Sequence, residues 1–314
     1  MQFLAQGDPS RVLDLARIKG WFDELLAPTA GVQTSIGVPP ELESPPSHPI
    51  PAQTVPVQTW HAARLELAEQ LWGEGFVMPG GAAEVLHLAG PIGLSGADTL
   101  LLLGAGPFGA ARTIVTARQC WVEGYERDPD LAELARHRAE EAGLRKRAPT
   151  SDLHETTKFR PRSASQGLSL FAIPDQPSVR PVLAGAAVAM RPGGQLGMIE
   201  LVAADDLSDV SGAHWRRLER RTEALPAKTA IDLALREHSF DVRIVEDISS
   251  RHVQAVLMGW MKHLEAVAAD KRNGRPPPQD LVRLMVAEAE LWLLRLRLIN
   301  AGRLNLIRWQ AIRR

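Results

Sequence analysis

Three glycines and one acid are the residues best placed to do chemistry in this chain. Residues 98–109 read DTLLLLGAGPFG, and 125–129 follow as Tyr125-Glu126-Arg127-Asp128-Pro129. An apolar strand over Leu100–Leu103 ends in a turn where Gly104, Gly106 and Gly109 remove side chains, with Ala105 between the first two. Backbone amides and a helix N-terminus can then approach a ligand closely. Glu126 stands 17 residues beyond the last glycine, at the tip of the next strand. A carboxylate there accepts two hydrogen bonds from ribose hydroxyls. The pattern implies a nucleoside site. Arg127, beside the acid, would instead suit a 2′-phosphate, so NADP is a second ligand the pattern admits.

The candidates for proton transfer or for orienting a substrate are His61, Asp175, Glu200, His214 and Asp247. Glu200 and Asp247 are singled out because they fall at or just beyond expected strand ends, where open α/β sheets bind ligands. His214 opens a basic stretch, His-Trp-Arg-Arg-Leu-Glu-Arg-Arg221, that is either a solvated face or a site for an anionic group. Trp60 and Trp72 are either core residues or an aromatic wall for a cation.

These residues need elements to position them. The spacing predicts a short amphipathic helix over 8–26, and eight prolines from Pro28 to Pro56 then argue against helix or central strand. Helical periodicity returns over 59–72, breaks at the loop 73–81, and resumes to about Ala89. Strand 100–103, helix 109–117, strand 119–125 and helix 129–142 alternate, which implies a parallel sheet with right-handed crossovers. A third strand over 148–153 is faint in a polar, basic stretch. A fourth is expected at 167–173, then a helix over 178–190. Arg191-Pro-Gly-Gly194 turns into a strand over 195–202. Helices at 213–224 and 227–238 lead to a sixth strand at 241–246. Helical material at about 250–300, with one long amphipathic helix over 279–300, precedes a last strand at 304–312. The helix 279–300 is a core cover, a lid or the face of a homodimer. The organisation is therefore an extension over 1–58, a helical lead-in over 59–98 and a core over 99–314.

Composition narrows the function. The chain has 314 residues, 45% hydrophobic and 23% charged, with a formal net charge of −1. That balance gives no field to recruit nucleic acid or an anionic membrane. The lone Cys120 excludes a disulfide framework and a cysteine-rich zinc site, and no metal is expected. No run reaches the ~18 apolar residues of a membrane span, and no secretion signal is evident. The expected compartment is the cytoplasm.

From Leu71 to Ile312 the chain resembles the class I S-adenosylmethionine-dependent methyltransferases. Four features carry the resemblance in order. They are the lead-in Trp72-Gly-Glu-Gly-Phe-Val-Met-Pro-Gly-Gly81, the glycine loop with Glu126, the Arg191-Pro-Gly-Gly194 turn, and the closing Phe240-Asp-Val-Arg-Ile strand. The lead-in is similar to that of phosphoethanolamine methyltransferases and their small-molecule relatives. The resemblance implies a Rossmann-like α/β fold whose seven-stranded, mostly parallel sheet ends in an antiparallel strand. Around it lie an N-terminal helical extension and a helical insertion before that last strand.

The resemblance also implies S-adenosylmethionine as cofactor and a small molecule as methyl acceptor. Gly104, Ala105, Gly106 and Gly109 would line the methionine end, Glu126 would hold the ribose with Arg127 beside it, and Asp152-Leu153 would meet the adenine. Gly80 and Gly81 would approach from the lead-in. Three departures stand out. Leu102 replaces the acid that opens the glycine motif, Gly167-Leu168 replaces Phe-Asp in strand 4, and Ile173-Pro-Asp-Gln-Pro-Ser occupies the place of the phosphoethanolamine enzymes' histidine. The alternatives are a binding or accessory protein of the same fold that has lost catalysis, and an NADP-dependent oxidoreductase.

Overall fold

The computed structural model describes residue 60 and residues 62–314. The helix expected over 8–26, the proline-rich segment and the candidate His61 lie outside the described residues.

The leucine run that opens the nucleoside motif forms β1 (Thr99–Leu103), buried on both faces, as an unbroken apolar strand must be. Alternation with helices follows from the periodicity: α3 (Gly109–Arg118), β2 (Trp121–Glu126), α4 (Pro129–Glu141), β3 (Thr150–Asp152), β4 (Gln166–Leu170), α5 (Val179–Ala189) and β5 (Gln195–Ala203). Ahead of them stand α1 (Ala62–Trp72) and α2 (Gly81–Ala89). After β5 come α6 (Val210–Leu218), α7 (Lys228–Glu237), β6 (Phe240–Asp247), α8 (Ser249–Arg272), α9 (Gln279–Asn300) and β7 (Leu304–Arg313).

The seven strands form one sheet in the order β3-β2-β1-β4-β5-β7-β6. β1 to β5 pair in parallel, and β7 runs antiparallel between β5 and β6. The carboxyl ends of β1 to β6 therefore share one edge. One face carries a core in which Leu101, Leu103, Met198 and Trp309 meet Val182 and Leu183 of α5 and Ile231 and Leu235 of α7. Ile92 lies under Gly197 on the other face.

Several boundaries differ from the periodicity. β4 stops at Leu170, not Ile173, because Phe171 adopts a left-handed backbone (φ 53°) that turns the chain out of the sheet. The third strand shortens to Thr150–Asp152, since its neighbours are polar loop residues. The helix expected over 213–224 begins earlier, capped by Asp209 accepting from the Gly212 amide at 3.0 Å. It ends at Leu218, just before Arg220 turns left-handed (φ 55°). The helical material at 250–300 is two helices, separated by a turn at Gly274 and three prolines at 276–278.

Candidate functional site

The glycines of the β1–α3 loop serve different ends. A Cβ on Gly104 would lie 2.0 Å from the Leu170 carbonyl oxygen, so this glycine lets the loop pass against the end of β4. A Cβ on Gly109 would lie 2.3 Å from the Gly75 oxygen, to which the Gly109 amide donates at 2.9 Å. This glycine stitches the lead-in loop to the first turn of α3. Among the described residues, Gly106 (φ 61°) faces only Val77 Cγ2, at 3.8 Å, and is the one glycine of the three whose missing side chain leaves room for something else. Gly80 and Gly81 are required by packing: their Cβ atoms would lie 2.7 Å from Glu84 Cβ and 2.1 Å from the Trp72 oxygen. Ala105 is buried, and its amide, like that of Gly104, donates to the Tyr125 carbonyl.

Glu126 closes the loop from β2. It is 8% exposed. One carboxylate oxygen accepts from the Gly106 amide at 2.7 Å, and the other from the amides of Arg127 (2.8 Å) and Asp128 (3.0 Å). Burial raises its pKa above the ordinary carboxylate value, and the three amides work against that rise. A carboxylate has about four acceptor positions, so one remains beside Gly106. Asp152 pairs in register with Glu126, and the Leu153 amide donates to the Glu126 carbonyl at 2.7 Å. The acid–aliphatic pair thus stands next to the ribose candidate, with Leu153 buried and Asp152 taking a hydrogen bond from Arg136 at 3.1 Å. Arg127 has a buried Nε with no hydrogen-bond partner.

The other described candidates each make hydrogen bonds within the fold. Glu200 is 1% exposed and accepts from the Ile173 amide at 3.0 Å, which pins the chain after β4. Burial drives its carboxyl well above the usual range. Asp175 accepts from the amide and hydroxyl of Ser178 at the start of α5. Asp247 lies at the end of β6 and accepts from the Ser249 amide (2.8 Å) and Asn305 (3.1 Å). His214 is on α6, paired with Glu290 at 2.9 Å and contacting Arg217. Trp72 is buried against Trp292 with ring centroids 5.4 Å apart, and Trp60 carries Arg64 at 4.6 Å.

Side chains that sequence periodicity did not single out gather at the same edge. Phe171 follows β4, and its ring lies 6.3 Å from His252. His252 lies 6.2 Å from Trp292, whose face carries Arg295 at 4.3 Å. Burial, with the charge of Arg295, lowers the His252 pKa to about 3. Phe108, buried before α3, holds a left-handed φ of 87° that costs a bulky residue on the order of 1–3 kcal/mol. The strand-end rule that singled out Asp247 would have reached His252, five residues on, had the start of α8 been legible. Among the described residues, no group of three or more His, Cys, Asp or Glu could hold a metal ion.

No protein-family model and no curated protein sequence matches the chain. Solved structures do. Phosphoethanolamine N-methyltransferase 2 of Haemonchus contortus, in complex with phosphomonomethylethanolamine and S-adenosylhomocysteine, matches at a TM-score of 0.67 and 19% identity, over 80% of this chain and 57% of that one. The chain therefore spans little more than half the length of that enzyme. Geranyl diphosphate C-methyltransferase of Streptomyces coelicolor A3(2), in complex with Mg2+, geranyl diphosphate and S-adenosylhomocysteine, matches at 0.56 and 11% identity, over 74% of this chain and 80% of that one. A cyclopropane synthase of Mycobacterium tuberculosis matches at 0.57 and 14% identity, over 74% and 83%. Strand order, the antiparallel β7 and these likenesses together show that the chain has the fold of the class I S-adenosylmethionine-dependent methyltransferases.

Proposed function

We propose that the protein binds S-adenosylmethionine and transfers its methyl group to a small-molecule acceptor. The observation that carries this reading is the pairing of Glu126 with Gly106. A buried carboxylate, locked by three amides, keeps one acceptor position beside the only open glycine of the loop. That arrangement fits a ribose hydroxyl, with the chain continuing past Gly106 toward the methionine end. Gly104, Ala105 and Gly109 shape the loop, Asp152 and Leu153 border the adenine, and Gly80 and Gly81 fold the lead-in over the site. Arg127 lies beside the ribose acid. The bound cofactor supplies a methyl group made electrophilic by a positive sulfur. The residues need only hold the two reactants in line and exclude water. Two of the neighbours named above, the phosphoethanolamine and geranyl diphosphate methyltransferases, are in complex with S-adenosylhomocysteine and a small molecule, which supports this reading over an accessory one.

Titration calorimetry with S-adenosylhomocysteine and with NADP tests the proposal. Micromolar to millimolar binding of the first and none of the second is expected. Gly106→Arg fills the open space and should abolish that binding without a matching loss of fold by circular dichroism. Undiminished affinity in this variant would reduce the loop to a tight turn.

A further inference from the structure

The carboxyl edge of the sheet holds a polar atom that the fold does not use. His252 lies in the first turn of α8, directly after β6. It is 6% exposed, and its Nε2 is buried without a hydrogen-bond partner among the described residues. A buried polar atom left unpaired costs about 1–3 kcal/mol, and a phenylalanine would fill the space at no such cost. The ring sits between Phe171, 6.3 Å away at the end of β4, and Trp292, 6.2 Å away on α9.

The same turns of α8 hold the lead-in. Arg251 donates to Glu84 at 2.7 Å, and Ala255 Cβ would lie 3.7 Å from a Cβ on Gly80. β4 ends against Gly104 on the other side. α8 thus touches the lead-in at Glu84 and Gly80, while its His252 faces Phe171, next after the strand end that borders Gly104.

Resting on the cofactor reading above, we propose that His252 Nε2 makes the hydrogen bond that orients the methyl acceptor, a small molecule whose nucleophile is an uncharged hydroxyl or amine. The surroundings decide the class. Phe171 and Trp292 give apolar walls that disfavour a charged group, and the guanidinium of Arg295, stacked on Trp292, is already paired with Glu219. The imidazole stays neutral and makes one directional hydrogen bond, which no side chain among the described residues supplies. In the transfer, the bond from sulfur to methyl breaks as the acceptor heteroatom bonds the methyl. The sulfur keeps the electron pair, and the heteroatom's proton passes to solvent.

The test uses the full chain, labelled with 15N-histidine and saturated with S-adenosylhomocysteine. The His252 Nε2 resonance is assigned by its loss in His252→Gln. Aniline, geraniol and phenol are then added at millimolar concentration. At least one is expected to move that resonance. His252→Gln should keep its affinity within a few-fold, while His252→Phe weakens it by about tenfold. Both variants should bind S-adenosylhomocysteine as the parent does and melt cooperatively. A resonance that none of the three compounds moves overturns the proposal, as does parental probe affinity in His252→Phe. Failure of the parent chain to bind S-adenosylhomocysteine would instead overturn the cofactor reading beneath it.

Discussion

Glu126 binds its own loop before it binds any ligand. Three amides converge on it, so its position is set by β2 and the glycine turn together. Glu126→Gln places an NH2 group against those donors and removes the charge. Charge-assisted hydrogen bonds are worth about 1.5–3 kcal/mol, so S-adenosylhomocysteine affinity should fall by at least about tenfold in calorimetry. His252 makes a second prediction. Its pKa is about 3 in the fold against an ordinary 6.5, from burial and then Arg295. Between those values the unfolded chain binds a proton that the native state refuses, so stability falls as pH falls. From pH 7 to pH 5 the loss is about 2 kcal/mol, and His252→Phe should lack it. Urea titrations of both proteins at the two pH values measure the difference, and parallel losses would refute it. The glycines and Glu126 were legible in the sequence because local spacing carries them, whereas Asp152-Leu153 came only from the family resemblance. His252 was not, because a lone histidine declares nothing until Phe171 and Trp292 surround it.

At the scale of elements, the insertion of two helices before β7 shapes the edge where the candidate site lies. α8 packs so closely on the end of α1 that a Cβ on Gly259 would lie 2.2 Å from the Trp72 ring and 2.9 Å from the Leu71 oxygen. Neither the ring, packed against Trp292, nor the backbone can yield cheaply. Gly259→Ala should therefore cost about 2 kcal/mol, read as a lowered urea midpoint, although alanine favours a helix. A neutral or stabilised variant would show that the α1–α8 contact is loose. The amphipathic helix at 279–300 was legible from its period, and the structure returns it almost residue for residue as Gln279–Asn300. The end of β4 was not. Apolar residues continue to Ile173, and only the left-handed Phe171, which donates to the Ile199 oxygen at 3.1 Å, ends the strand.

For the molecule as a whole, buried charge ties distant segments together. Glu219, after α6, is 11% exposed and bonded to Arg295 of α9, with Arg221 at 3.7 Å. Burial raises its pKa, but Arg295 and Arg221 more than offset this, so its carboxyl titrates below the ordinary value. The stabilisation is present above that ordinary value and is lost as pH falls through the lowered one. Glu219→Gln leaves two guanidiniums facing each other and should cost about 3 kcal/mol in urea denaturation at pH 7; a loss under ~1 kcal/mol would mean that water already screens the cluster. Local spacing and composition determined a nucleoside-type loop, a parallel α/β core and late helices, because strand and helix periods and glycine turns act over a few residues. The antiparallel sense of the last strand was expected from the family resemblance; tertiary structure alone decided that β7 slots between β5 and β6. It alone separated Gly106, open toward the site, from Gly104 and Gly109, which are spent on packing. It also brought Phe171, His252, Trp292 and Arg295 to one edge. Those outcomes depend on contacts between segments up to more than a hundred residues apart, and no local pattern encodes a contact of that range.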